Sequence, residues 1–263
     1  TSSKGDLENL TKKIMDDEWI NIEGESISLK ETPALLRELN LMPIFLKKYY
    51  EAKYTKDIIP TEDEQVIFQK YFLKKEGIED DQSLKNWLSN NHKSEKEMNK
   101  ILYNALRIEI FKKKNFQEHL EAIFVNRKSD LDRVTYSLIR VKNRAKAAEL
   151  HLRLKEEEST FQDLASTYSE GVENLFQGLI GPVEFGKVHP LIAERLKNSS
   201  PGDLWPPFEF QSFWLILRVE RFLPATLNDA MKSRLINEMY EEWIQGKIMN
   251  TMKNLEKCNS TNK

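Results

Sequence analysis

Two strand-like runs, which enclose helix and turn signals, most constrain how this chain can fold. Val134–Val141 opens the segment and Phe213–Glu220 closes it, and β-branched and aromatic residues are common in both runs. Between them lie two helical patterns, at 145–155 and 160–169, followed by turns rich in glycine and proline. Strands and helices mixed in this way predict an α+β domain.

The order of these motifs resembles the parvulin domain of the SurA and PrsA foldases. The turns that carry the resemblance are Gly178-Leu-Ile-Gly181, Gly186-Lys-Val-His-Pro190 and Ser200-Pro-Gly-Asp-Leu-Trp-Pro-Pro207. The resemblance covers about a third of the chain. It implies a PpiC-like peptidyl-prolyl isomerase domain, with four antiparallel strands and surrounding helices, at residues 131–224. Its clients would be unfolded or proline-containing polypeptides.

A prolyl isomerase must lower a rotation barrier of about 20 kcal/mol. Active parvulins resemble one another in having a histidine on the first strand, a histidine on the last strand and a Cys or Asp between them. Aligning the family patterns with Ser137-Leu-Ile-Arg-Val-Lys142 and its counterparts places Leu138, Leu179 and Leu215 at these three positions. We therefore expect a site packed over on a buried face, with weak or no isomerase activity.

The proline pocket of the family, usually formed by a Met and a Phe, falls on aliphatic residues here. Aromatic residues are dense around the third and fourth strands, and core packing is the alternative role for them. A cleft for extended apolar peptide is the functional interpretation. The candidates for peptide binding are Val188, Ile192, Phe185, Phe213, Trp214 and Trp205.

Helical patterns precede this segment, beginning at Thr32, with apolar residues at three-and-four spacing. Pro43 should break the first of these helices. Thr61 with Glu64, and Ser94 with Glu97, have the spacing of capping boxes and predict two helix starts. A shorter helix is expected around 83–88 and another from Phe116.

A long apolar stripe follows Pro224, where Asn228 can cap a helix that runs to about Ile248. An exposed stripe of that size would invite association, so it must be covered. In SurA-like proteins the corresponding segment packs on the N-terminal helices, which implies a helical chaperone-like domain built from both chain ends. The sequence leaves open whether the stripe closes on its own chain or on a second copy.

The expected domains follow from these patterns. They are an N-terminal extension (1–30), a helical chaperone-like domain (31–130), the inserted parvulin-like domain (131–224), a C-terminal helix packing on the helical domain (225–256) and a tail (257–263). Within the extension, Leu7, Leu10 and Ile14 could line a helix, and the chain could turn at Gly24.

Composition excludes several function classes. Lys and Arg number 40 against 42 Asp and Glu, so the chain lacks the basic excess of a nucleic-acid-binding protein. No apolar run approaches the ~20 residues that span a bilayer. The single cysteine, Cys258, favours a reducing compartment, hence the cytoplasm, or an exported location if a signal segment preceded Thr1. No cofactor is expected, and the four histidines lack the spacing of a metal site.

Three functions remain. The first is a foldase or chaperone that binds polypeptide and is catalytically weak or inactive. The second is an active isomerase with a histidine-free site. The third, supported only by the large apolar area of the terminal helices, is an adaptor of a secretion or assembly machine.

Overall fold

A computed structural model of the protein describes residues 18–260. The described residues divide into two compact units, one formed by those up to 118 together with those from 236 onward, and the other by residues 119–235. The helix considered for residues 7–14 lies outside the described residues. Among the described residues, none of the helices is long and apolar enough to cross a membrane.

The first unit begins with a two-stranded antiparallel hairpin, β1 (Glu18–Ile22) and β2 (Glu25–Ser28). The strands are joined at Glu23 and Gly24, both of which have positive φ. Glycine adopts this backbone conformation without a steric cost. The turn predicted at Gly24 is confirmed.

Five helices follow, and their starts are largely encoded by local capping. They are α1 (Thr32–Glu38), α2 (Met42–Thr55), α3 (Glu62–Lys75), α4 (Asp81–Asn90) and α5 (Glu95–Phe116). Pro43 lies in the first turn of α2, so the helical pattern is broken just before it, as predicted. Both predicted capping boxes are formed, by Thr61 with Glu64 and by Ser94 with Glu97.

One predicted helix boundary is wrong. Phe116 is the last residue of α5 and does not open a new helix. A short 3₁₀ turn at Gln117–His119 separates α5 from α6 (Leu120–Leu131). The apolar spacing continued across this turn, and the turn contains neither Gly nor Pro to mark a break.

The core of the first unit joins residues from both ends of the chain. Met42 and Leu46 of α2 pack with Tyr240, Ile244 and Ile248, which lie on the terminal helix α10 (Asp229–Ser260). Side-chain hydrogen bonds also join α10 to the earlier helices, from Lys112 of α5 to Asn237 and from Lys47 of α2 to Glu241. The predicted α+β architecture, with a helical part built from both ends, is confirmed.

The second unit contains a four-stranded sheet and the remaining helices. Its elements are α6, β3 (Arg133–Val141), α7 (Arg144–Lys155), α8 (Phe161–Tyr168), β4 (Leu179–Glu184), α9 (Pro190–Lys197), β5 (Phe208–Phe210) and β6 (Phe213–Leu223). The strand order is β4-β3-β6-β5, and every neighbouring pair is antiparallel. The two long strands predicted from the sequence are thus the central pair.

The sheet is covered on both faces, because successive side chains of a strand point to opposite sides. One face, the α7/α8 face, packs Ile139, Val141 and Ile216 against α7 and α8. The other, the α9 face, packs Leu138, Leu215 and their neighbours against α9 and the 3₁₀ turn Phe185–Lys187.

Candidate functional site

The α9 face holds two of the three leucines that take the family's polar positions. Leu138 lies opposite Leu217 and Leu215 lies opposite Arg140, so Leu138 and Leu215 are diagonal neighbours on adjacent strands. Their exposed fractions are 3% and 1%. An apolar, closely packed surface therefore occupies the place to which the resemblance assigns two histidines.

Five of the six peptide-binding candidates lie on this same face. Phe185, Val188 and Ile192 are buried in its cluster, and Trp205 and Phe213 pack against it while partly exposed. Phe208 and Phe210, which belong to the same dense aromatic segment, complete the partly exposed aromatic rim. The sheet thus brings together a buried apolar core and a partly exposed aromatic edge, and this edge suits contact with an extended apolar peptide.

Trp214 lies on the opposite face. It packs against the α7/α8 cluster, where the guanidinium of Arg144 lies 5.1 Å from its ring. Because Trp214 follows Phe213 directly in β6, the alternation of the strand sends the two rings to different sides. The interpretation of one continuous aromatic patch is therefore wrong for Trp214.

Leu179 also differs from the sequence expectation. Its side chain is 49% exposed, whereas Ile180, the next residue of β4, packs against the α9 cluster. The alternation of β4 places Leu179 on the other side of the strand. The expectation that all three leucines lie on a buried face is correct for Leu138 and Leu215 and wrong for Leu179.

A charged group that sequence reasoning missed lies on the α9 face. The Nε of Arg140 donates a hydrogen bond to Oε1 of Glu173 at 2.8 Å, and the hydroxyl of Ser169 donates to the same oxygen at 2.6 Å. Ser169 Oγ in turn accepts from the backbone N–H of Arg140 at 3.0 Å. Glu173 is only 2% exposed, so this carboxylate is buried with its charge paired.

Tyr136 belongs to the same polar cluster, two residues before Leu138 on β3. Burial raises the pKa of its phenol, the nearby Arg140 charge opposes that shift, and Glu173 adds to it. The phenol therefore stays protonated at neutral pH. Hydrogen-bonding groups therefore lie at one end of an otherwise apolar face, on Tyr136, Arg140 and Glu173.

The sequence contained a signal for the two members of this cluster that lie on β3, Tyr136 and Arg140. Alternation along Ser137-Leu-Ile-Arg places Arg140 on the same side as Leu138, which the pattern alone could have indicated. Glu173 lies in a 3₁₀ helix, Val172–Phe176, where no periodicity predicts which side chain turns inward.

His189 caps α9, in agreement with a helix-start role. Its Nδ1 accepts a hydrogen bond from the backbone N–H of Leu191 at 3.3 Å, and its ring lies edge-on to Phe210 with centroids 4.7 Å apart. No group of three or more His, Cys, Asp or Glu suited to a metal ion occurs within the described part of the chain.

The helical unit contains a separate open cavity of about 410 Å³ between α3 and α5. Leu102, Leu106 and Phe68 form its apolar lining, and the amides of Gln69 and Asn99 face it. Such a mixture of apolar and amide groups can contact both the side chains and the backbone of a polypeptide.

Comparison with known proteins identifies the second unit. Residues 133–221 match the Rotamase family, described as the PPIC-type PPIASE domain. This segment is a parvulin-type rotamase domain. The match spans the sheet, including both strands that carry Leu138 and Leu215. No curated protein matches the chain.

Solved structures to which the chain is similar include PrsA proteins. The chain is 19% identical to PrsA of Bacillus anthracis (83% of this chain, 97% of that one, TM-score 0.41) and 17% identical to PrsA of Bacillus cereus (91% and 92%, TM-score 0.46). A SurA-like chaperone of Campylobacter jejuni is 16% identical (92% and 98%, TM-score 0.35). At these identities and TM-scores, the family match over the rotamase domain remains the finding that identifies it.

Proposed function

We propose that this protein is a foldase or chaperone that binds unfolded or proline-containing polypeptide and is weak or inactive as an isomerase. The observation that carries the proposal is the α9 face of the rotamase domain. Its aromatic rim is partly exposed to a peptide at the edge of a buried apolar core, while Leu138 and Leu215 fill the positions that the resemblance assigns to histidines.

Catalysis of X-Pro rotation needs polar groups placed where charge shifts in the twisted amide. The leucines at positions 138 and 215 are buried and carry no polar group, so they supply no hydrogen bond to a twisted prolyl bond. Binding would be retained, because burial of apolar peptide side chains requires no titratable group. The cavity between α3 and α5 offers the same client a second contact region.

One observation favours the alternative of a histidine-free isomerase. Arg140 brings N–H donors to the α9 face beside Leu215, and a donor near the prolyl carbonyl or nitrogen could favour the twisted amide. This alternative predicts measurable turnover that depends on Arg140.

The deciding experiment is NMR exchange spectroscopy on a panel of short X-Pro peptides, with an active parvulin as the positive control. We expect peptide resonances to shift on titration without faster cis–trans exchange. Faster exchange would contradict the inactive-site proposal and favour the histidine-free isomerase. Absence of both shifts and exchange would contradict peptide binding and leave the adaptor function.

A further inference from the structure

The guanidinium of Arg140 has unused hydrogen-bonding capacity. Only its Nε donates to Glu173, although the group carries five N–H donors. Among the described residues, neither Nη group has an acceptor within hydrogen-bond distance, and the side chain is 34% exposed. The outer edge of the guanidinium, which is the edge that pairs with a carboxylate through two parallel bonds, is therefore open.

This open edge is held in a fixed place. Glu173 anchors Nε and is itself anchored by the Ser169 hydroxyl, so the Arg140 side chain loses little freedom when it binds a second group. The guanidinium carbon lies 5.9 Å from the centre of the Phe213 ring. An anion bound to Arg140 would therefore lie beside the aromatic rim of the α9 face.

A second cation flanks the same ring. The Nζ of Lys142 also lies 5.9 Å from the centre of Phe213. One carboxylate oxygen of Glu170 accepts a hydrogen bond from the backbone N–H of Lys142 at 2.8 Å. Two cationic side chains thus border one apolar ring, and the buried Glu173 uses only one donor of this pair.

We propose that Arg140, assisted by Lys142, binds the side-chain carboxylate of an Asp or Glu in the client, next to an apolar or prolyl residue packed on Phe213. This inference rests on the proposed function and makes it more specific. It assigns the rotamase domain a preference among polypeptides, for segments in which acidic and apolar residues are adjacent.

The test compares two peptides that differ only in charge, Ala-Leu-Glu-Pro-Phe-Ala and Ala-Leu-Gln-Pro-Phe-Ala. Both are acetylated and amidated so that the termini carry no charge. Binding to the full chain is measured by NMR titration at low and high salt. We expect the Glu peptide to bind roughly tenfold more tightly at low salt, and salt to reduce that ratio.

Two variants locate the effect. Arg140→Leu with Glu173→Gln removes the cation and its buried partner together, so no unpaired charge is left inside. Lys142→Gln changes only an exposed residue. The ratio of the Glu-peptide affinity to the Gln-peptide affinity should fall to near one in the double variant and should decrease in Lys142→Gln. It should be unchanged in Lys155→Gln, which removes an exposed charge from α7 on the other face. Circular dichroism confirms that each variant folds.

The outcomes separate the two proposals. Equal binding of both peptides would overturn the carboxylate site while leaving peptide binding intact. A Glu preference that persists in the double variant would place the site elsewhere and overturn the role of Arg140. If neither peptide binds, the proposed function fails and the inference fails with it.

Discussion

At the scale of single residues, the ion pair of Arg140 and Glu173 shows how this domain accommodates charge inside an apolar sheet. A carboxylate that is 2% exposed would be strongly destabilising without partners, and here Arg140 and Ser169 both donate to it. The second oxygen of Glu173, Oε2, has no hydrogen-bond partner among the described residues.

Gly171 is required by the packing around this ion pair. A Cβ placed there would come within 2.4 Å of both Arg140 Nε and Glu173 Oε2. We expect Gly171→Ala to lower the free energy of unfolding by about 1–3 kcal/mol, because the ion pair would have to shift. Urea unfolding of the variant and the native protein measures this change in the free energy of unfolding. The control is Gly246→Ala in helix α10, where a Cβ meets nothing within 4 Å and should stabilise by about 0.5–1 kcal/mol. Equal effects of the two substitutions would contradict the packing argument.

Glu184 should make stability sensitive to acid. Arg234 donates hydrogen bonds to its carboxylate, which holds the pKa of Glu184 below its ordinary value of 4.5. A lowered folded-state pKa contributes stability above pH 4.5, and that stability is lost as the pH falls through the folded-state pKa. The melting temperature of the native protein should therefore fall more between pH 7 and pH 3 than that of Glu184→Gln. Substitution of the exposed Glu209 by Gln is the control for loss of a surface carboxylate.

At the scale of elements, helix starts were predictable and irregular segments were not. The capping boxes at Thr61 and Ser94 formed as expected, because a cap depends on residues three positions apart. The side of the sheet taken by Leu179 depends on the local register of β4, which shifts near its pairing with Val134 and Tyr136. A family alignment does not encode that register, and so the burial of Leu179 was mispredicted.

The same distinction between regular elements and irregular segments applies to the residues of the candidate functional site. Leu138, Leu215 and the pocket residues could be placed because they lie on long strands or in recognisable motifs. Trp214 was misplaced because the aromatic residues were considered together without the alternation of β6. Glu173 could not be found, since its inward position is set by tertiary contacts of a 3₁₀ helix.

The start of α10 offers a test of one predicted cap. The side chain of Asn228 accepts a hydrogen bond from the N–H of Met231 at 2.9 Å. Asn228→Ala should lower the free energy of unfolding by about 1 kcal/mol, while Asn228→Asp should retain the cap and gain from the helix dipole. Thermal unfolding of the two variants gives the comparison, and an Ala variant as stable as Asp would refute the cap.

At the scale of the whole molecule, the first unit depends on a contact between distant parts of the chain. Ile248 on α10 is buried against a cluster that includes Met42 and Leu46, whereas the adjacent Met249 is 55% exposed. The position of a residue around the helix, and not its polarity, therefore separates a core position from a surface position here.

This pair gives a matched prediction. Ile248→Ala should cost about 2–5 kcal/mol, because it leaves a cavity in the core, and Met249→Ala should cost much less. Hydrogen exchange should show the amides of α2 losing protection in the Ile248 variant, although α2 is remote in sequence. Protection lost only within α10 would contradict a shared core.

The two-ended core also has a consequence for synthesis on the ribosome. The rotamase domain is continuous in sequence and can fold as soon as its last strand emerges. The helical unit cannot, since about 190 residues separate the end of α2 at Thr55 from Ile248. Synthesis proceeds at roughly 5–20 residues per second, so the apolar side of α2 stays uncovered for on the order of ten seconds or longer before α10 is made. A protein proposed to shield the apolar surface of other unfolded chains therefore exposes apolar surface of its own while it is being synthesised.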